Sequence, residues 1–230
     1  MKLKESFQNL SKFELILWIL SVLMVTLSYL LSPSEDYLNL IASLIGVTAL
    51  IFVAKGYVIG QILTVIFALF YGVISYYFRY YGEMITYLGM TAPIAVLTVV
   101  QWIRHPYGHT AEVEVRKLTR QQVSRLILLT YFVTILFYFI LDALNTNHLF
   151  FSTVSVATSF LASSLTFMRS SYYALAYAAN DIVLIILWTL ATVADISYLP
   201  MIICFVMFLI NDLYGFWNWQ NMQTRQNTSN

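Results

Sequence analysis

Charge is what this chain has least of: 10% of its 230 residues are Asp, Glu, Lys or Arg, against 60% that are hydrophobic. A soluble domain carries about a quarter charged residues, and this composition folded in water would expose large apolar patches. A bilayer is the solvent that fits it. The net charge of +1 gives no basic field, so no nucleic-acid partner is expected. The one cysteine, Cys204, lies inside an apolar run, which rules out an internal disulfide and argues against a thiol-ligated metal. Glycine-rich phosphate loops are missing, so the chain holds no ATP-driven pump. No GxSxG pattern, Ser-His-Asp set or zinc-type spacing occurs either. His105 and His109 flank Pro106 and Gly108 in what reads as a loop, and His148 falls on the opposite side of the membrane. The expectation is no enzyme, no metal and no cofactor.

What the chain does have is long apolar runs. A helix needs about 20 apolar residues to span the hydrocarbon, and only helices or closed barrels satisfy their backbone there. The runs are continuous rather than alternating, which selects helices. A basic tail (1–12) precedes spans near 13–31, 37–54, 57–79 and 83–103. A polar connection from Arg104 to Arg125 leads to spans near 126–143, 148–168, 172–193 and 197–219, and the tail QNMQTRQNTSN reads as disordered. No small-residue cleavage site follows the first span, so it is expected to be retained. The fold class is an all-α integral membrane protein with eight transmembrane helices.

Charge tests the count. With both termini cytoplasmic, eight spans place Lys2, Lys4, Lys12, Lys55, Arg104, Arg116, Lys117, Arg120, Arg125, Arg169 and Arg225 inside. Arg79 alone falls outside, with Glu35, Asp36, Asp142 and Asp195. That is the positive-inside pattern, and an odd number of spans would scatter it.

Cutting at the central polar loop exposes a duplication. Lys55-Gly56-Tyr57 and Arg169-Ser170-Ser171-Tyr172 each open a span, each span leads to an outer bend, and each set closes on tryptophan, Trp102 or Trp217/Trp219. The chain divides into a tail and first helix (1–36), a three-helix repeat (37–104), a loop with linker helix (105–147), a second repeat (148–220) and a tail (221–230). An odd connector makes the repeats parallel, a transporter plan that puts substrate between them near the midplane.

Polar residues at membrane depth are the candidate site. In the seventh span Tyr173, Tyr177 and Asp181 stand at i, i+4 and i+8 and share a face. Asn180 and Trp188 share the adjoining stripe. A carboxylate at that depth costs about 2.5–3.5 kcal/mol and usually faces a bundle interior or cavity; the plainer alternative is interhelical bonding. The eighth span offers Asn211, Asp212 and Tyr214, with Gly215 allowing close approach. Trp217 and Trp219 read as an aromatic belt at the interface. The first half contributes Gln61 and Tyr87; Pro93 removes a donor mid-span and is expected to kink that helix. Glu83 reads as an interfacial charge.

RSSYYALAYAANDIVLIILWTL with DISYLPMIICFVMFLINDLYGFWNW, and KGYVIGQILTVIFALFYGVISYYFRYYGEMITYLGMTAPI with QWIRHP, resemble the PnuC-type vitamin transporters over roughly residues 40–222. The resemblance implies three helices, a linker helix and three helices in parallel, similar to the SWEET sugar transporters, with an extra N-terminal helix. It further implies a bacterial cell membrane, facilitated diffusion of nicotinamide riboside without ion coupling, trapping by a cytosolic kinase, and a homotrimer. Asn180 and Asn211 match family asparagines. Where riboside importers carry W-x-x-W, this chain has Tyr173 and Ala176; Tyr173 can stack and Ala176 cannot, with Trp188 as a substitute wall. Thiamine, riboflavin and deoxynucleosides stay open as cargo, as does proton coupling through Asp181 and Asp212. All suit aromatic faces for a flat ring and Asn or Asp for hydroxyls, and a cationic ring would add a cation–π contact.

Overall fold

A computed structural model describes residues 7–32, 37–77 and 81–228. Lys2, Lys4, Glu35, Asp36 and Arg79, which entered the charge count, lie outside the described residues. Among those described, eight helices are long and apolar enough to cross a membrane. They are α1 (Lys12–Leu30), α2 (Tyr37–Ala54), α3 (Val58–Tyr77), α4 (Glu83–Arg104), α5 (Arg120–Ala143), α6 (Leu149–Phe167), α7 (Tyr173–Ala194) and α8 (Leu199–Thr228). Each span reverses the chain. The α2–α3, α4–α5 and α6–α7 connections therefore gather with the two chain ends at what we call the terminal end. The other connections gather at the far end.

Two helix boundaries differ from the sequence expectation. α5 starts at Arg120 rather than near 126 because Thr119 and Gln122 form a capping box, Gln122 N–H donating to the Thr119 hydroxyl at 3.3 Å and Thr119 N–H to Gln122 Oε1 at 3.0 Å. α8 runs to Thr228 through the tail expected to be disordered. Buried Gln226 holds it there, accepting from Val115 N–H at 2.8 Å and donating to the Val113 carbonyl at 3.1 Å. The tail has no apolar period; its order comes from tertiary partners.

The packing follows α2 on α3, α3 on α4, α6 on α7 and α7 on α8, with α2 against α8 and α4 against α6. Exchanging α2, α3, α4 for α6, α7, α8 leaves that pattern unchanged. The matching turns agree in detail. At Gly56 (φ 68°) the amides of residues 56 and 57 donate to the carbonyls of Val53 and Phe52; at Arg169 (φ 60°) those of residues 169 and 170 donate to Thr166 and Leu165. Both are left-handed helix endings of the Schellman kind. α1 packs on α2 and α8, and α5 on α6. Only 11% of α5's most apolar stretch is buried, against 50% for α2, so α5 stands at the periphery.

Around Pro93, the expected kink position, α4 changes its winding. Its turn Thr86–Thr91 is π-helical, and Pro93 follows in the first turn of the α-helix resuming at Ala92. In the wider turn Ala92 N–H donates to the Tyr87 carbonyl five residues back, and such turns recur at functional sites. Two apolar cores flank the middle of the bundle. One centres on Trp102, Trp219, Val113 and Tyr173, the other on Tyr71, Leu184, Phe205 and Phe208.

Candidate functional site

Between those cores lies a central cavity of about 70 Å³ lined by α2, α3, α4, α6, α7 and α8. Seven of the ten residues singled out from sequence meet here: Gln61, Tyr87, Tyr173, Tyr177, Asn180, Asp181 and Asp212. The i, i+4, i+8 stripe of α7 does face inward as one surface. Tyr173 is fully buried, its ring edge-on to Trp219 at 4.7 Å and to Tyr177 at 6.2 Å. Gly215 leaves room for its hydroxyl, which lies 3.1 Å from where a Cβ would stand. The Tyr177 hydroxyl bonds Ser163 of α6 at 3.0 Å. Asn180 Oδ1 accepts from Thr158 at 2.8 Å and Ser155 at 3.3 Å, so it links α7 to α6 while bordering the cavity.

Asp181 and Asp212 face one another within hydrogen-bonding reach, one from α7 and one from α8. Both are buried. Among the described residues no Lys, Arg or His lines this cavity. Two buried polar atoms on its wall have no partner: Asp181 Oδ2 and the Thr91 hydroxyl oxygen. An unsatisfied buried polar group costs about 1–3 kcal/mol, more when charged, so a ligand able to bond them gains what the protein alone leaves unused. The cavity can therefore bind a small molecule that is cationic or neutral, flat on one side and rich in hydroxyls or amides on the other.

Three predicted residues lie elsewhere. Asn211 is turned toward α1, where its amide donates to the Ser21 hydroxyl at 2.9 Å and to the Met207 carbonyl at 2.7 Å. Tyr214 donates to Glu14 Oε1 at 2.6 Å, and Lys55 Nζ lies 3.3 Å from the same oxygen. That buried network fastens α1 to α8 at the terminal end. Trp188 borders a far-end cavity instead, its ring 5.6 Å from Tyr198. All three share the intramembrane polarity of the site, but only the packing shows which neighbour each stripe meets.

Trp219 is not a belt residue: it is fully buried, donates to the Val53 carbonyl at 2.9 Å and stacks near Trp102 at 5.5 Å. Trp217, by contrast, is 61% exposed. Sequence reasoning also missed Phe67, Thr64 and the pair Phe205 and Phe208, which wall the cavity. Their spacing was a usable signal, since Phe205, Phe208 and Asp212 run i, i+3, i+7 along α8.

Two further cavities continue toward the far end. A passage of about 50 Å³ shares Tyr87, Asn180 and Leu184 with the central cavity. A vestibule of about 410 Å³ shares Glu83, Thr146, Ser152 and Leu187 with that passage. Glu83, the first residue of the α4 span, is half-buried and borders both of these cavities, held by hydrogen bonds to Tyr71 and Ser75. The terminal end is closed by contrast. Residues 105–118 form a strap in which Val113 N–H donates to the Gly56 carbonyl and Arg116 N–H to the Arg169 carbonyl, both at 2.9 Å. Arg169 pairs with Glu114 at 2.9 Å, and Arg225 pairs with Glu112. Burial under the strap, with the Glu112 and Glu14 carboxylates, pushes the Tyr57 phenol above its ordinary range.

The chain is similar to known proteins along most of its length. A family model described as nicotinamide mononucleotide transporter matches residues 36–221. A nicotinamide riboside transporter PnuC of Neisseria mucosa is 26% identical over 227 residues, covering 96% of this chain and 86% of its own length. The protein of that name from Haemophilus influenzae is 24% identical over 229 residues, covering 98% of each chain. A crystal structure of the vitamin B3 transporter PnuC superposes with a TM-score of 0.82 at 25% identity, covering 95% of this chain and 94% of that one.

Proposed function

The chain belongs to the nicotinamide mononucleotide transporter family, and from that premise we propose that it carries nicotinamide riboside, the unphosphorylated nucleoside, across a bacterial cell membrane. It is a multi-pass transporter, similar throughout its length to proteins named for that riboside. The observation that carries the choice of cargo is the central cavity: two carboxylates, an unpartnered Asp181 oxygen, aromatic walls and no basic side chain among the described residues. A pyridinium cation suits such a wall. A mononucleotide would bring a phosphate of about −2 charge against Asp181 and Asp212 with no basic side chain to neutralise it, so the family's name is the poorer description of the cargo.

Both termini face the cytoplasm in this reading, supported by the basic residues at the terminal end, and the far-end vestibule faces outward. Movement runs down the riboside gradient, with phosphorylation by a cytosolic kinase trapping the product. The substrate sits between the two parallel repeats. A homotrimer fits the bare outer face of α5, and a monomer in native mass spectrometry would end that part of the reading. The deciding experiment is uptake into liposomes holding the purified protein. Riboside should enter at a rate that collapsing Na⁺ and H⁺ gradients leaves unchanged, and the mononucleotide should not enter. Absence of riboside uptake, with a thiamine, riboflavin or deoxynucleoside carried instead, would reassign the cargo.

One observation favours a second reading. Two carboxyl groups within hydrogen-bonding reach can hold a proton between them, the arrangement a proton-coupled carrier uses. Uptake that follows an imposed pH gradient and loses that dependence in Asp181→Asn would select it.

A further inference from the structure

Cavity volume separates the central site from the vestibule. Sites for small organic ligands occupy about 300–1,000 Å³. The central cavity, about 70 Å³, and the passage, about 50 Å³, fall well short. The vestibule, about 410 Å³, is the compartment with room for a nucleoside. In this conformation the central site is contracted around its own side chains, and a substrate arriving from the far end must come to rest before it.

The vestibule is equipped to hold it. Trp188 and Tyr198 present two rings with centroids 5.6 Å apart and planes inclined at 44°. Trp188 is 92% buried, and its Nε1–H is a buried donor without a partner on a residue that lines the vestibule. Glu83 supplies a carboxylate whose position is fixed by the Tyr71 and Ser75 hydroxyls. The rim is the short loop Leu144 to His148, where Asn145 and His148 take left-handed backbone (φ 51° and 53°) and present polar groups beside Thr146. Such φ values in residues with a Cβ are sparsely populated and persist only when the surroundings hold them. A held carboxyl group, two aromatic faces, an unpartnered N–H donor and a polar rim together match a flat cation bearing an amide and a sugar.

We propose that the far-end vestibule is a second, outer binding site for the cationic substrate, built on Glu83, Trp188 and Tyr198, which loads the central site through the passage bordered by Tyr87. This rests on the transport reading above. Glu83 borders both the vestibule and the passage, and Tyr71, which it bonds, lies ring to ring with Tyr87 at 4.5 Å. A ligand drawing on the Glu83 carboxylate therefore bears on the aromatic pair that narrows the passage. Cation–π contact and the carboxylate select the ring by its charge, while the rings alone select only by flatness.

The test uses the full chain in liposomes with two substrates of the same shape: nicotinamide riboside, a cation, and its reduced dihydropyridine form, which is neutral. Glu83→Gln keeps the hydrogen-bonding shape and removes the charge. It should raise KM for the cation about tenfold and lower the maximal rate less than about twofold, the signature of lost uniform binding. KM for the neutral form should hold. Tyr198→Leu, away from the Glu83 hydrogen bonds, should raise KM for both substrates, and it carries the test if Glu83→Gln fails to fold. Unchanged KM for the cation in the folded variants, or an equal rise for cation and neutral form in Glu83→Gln, overturns the outer site. Wild-type protein that carries neither substrate overturns the transport reading itself, a separate result.

Discussion

The two ends of the bundle are built to opposite rules. The terminal end is stitched: a strap laid across the α2–α3 and α6–α7 turns, two ion pairs to the strap, a buried Glu14 between Lys55 and Tyr214, and the Trp102–Trp219 core beneath. The far end has an open vestibule and a loop of strained backbone. The difference locates stability at one end and access at the other. A carrier must be able to open either side, and the conformation described here has its bonds where the cytoplasm is proposed to lie. Moving substrate onward means breaking specific hydrogen bonds, not merely shifting apolar surface.

Substitutions sharpen that contrast in order of size. The largest effect is expected from Glu14→Ala. It strands Lys55 and the Tyr214 hydroxyl, and breaking a buried charge pair from one side costs about 3–5 kcal/mol. Thermal denaturation in detergent should show it, and a loss of a few tenths of a kcal/mol would mean that the network does not bear on stability. Gln226→Ala removes both bonds to the strap and should cost about 2 kcal/mol. Hydrogen exchange at the Val113 and Val115 amides should rise with it; unchanged protection would show that the strap holds without α8.

The smallest effect belongs to the far end. Asp195, fully exposed, accepts from Ser197 N–H at 2.9 Å. That bond holds its carboxyl below the usual aspartate range. With the folded value under the unfolded one, its contribution is in place above the ordinary range and is lost as pH falls through the depressed value. The 195–199 turn should keep its hydrogen-exchange protection at neutral pH and lose it only in acid. Loss of protection near neutrality would contradict this assignment.

Much of this was legible in the chain itself. Continuous apolar runs give the eight spans, and the α7 stripe Tyr173, Tyr177, Asp181 gives the cavity face, because both rest on local periodicity. Asn211 and Tyr214 mark where that kind of reading stops. Their depth and polarity match those of Asp212, yet they turn to α1, and helical spacing names a stripe without naming its neighbour. Trp219 misleads for a related reason: a tryptophan near a helix end suits an interface equally well as a core. The α8 tail and the surroundings of Glu83 were hidden for a different reason. Each is polar by composition and ordered by partners distant in sequence, Val113 and Val115 for Gln226, Tyr71 and Ser75 for Glu83.

The two turns beneath the strap make the same bonds, but one is glycine and the other arginine. An L-residue held left-handed stores about 1–2 kcal/mol, whereas Gly56 rests there without penalty. One hinge is slack and the other is wound. When the strap lifts, the Arg169 turn alone has strain to release, so the terminal end comes undone unevenly, from the α6–α7 side first. A molecule with matching halves thereby acquires a direction of unfastening, set by a single side chain that its partner turn does without.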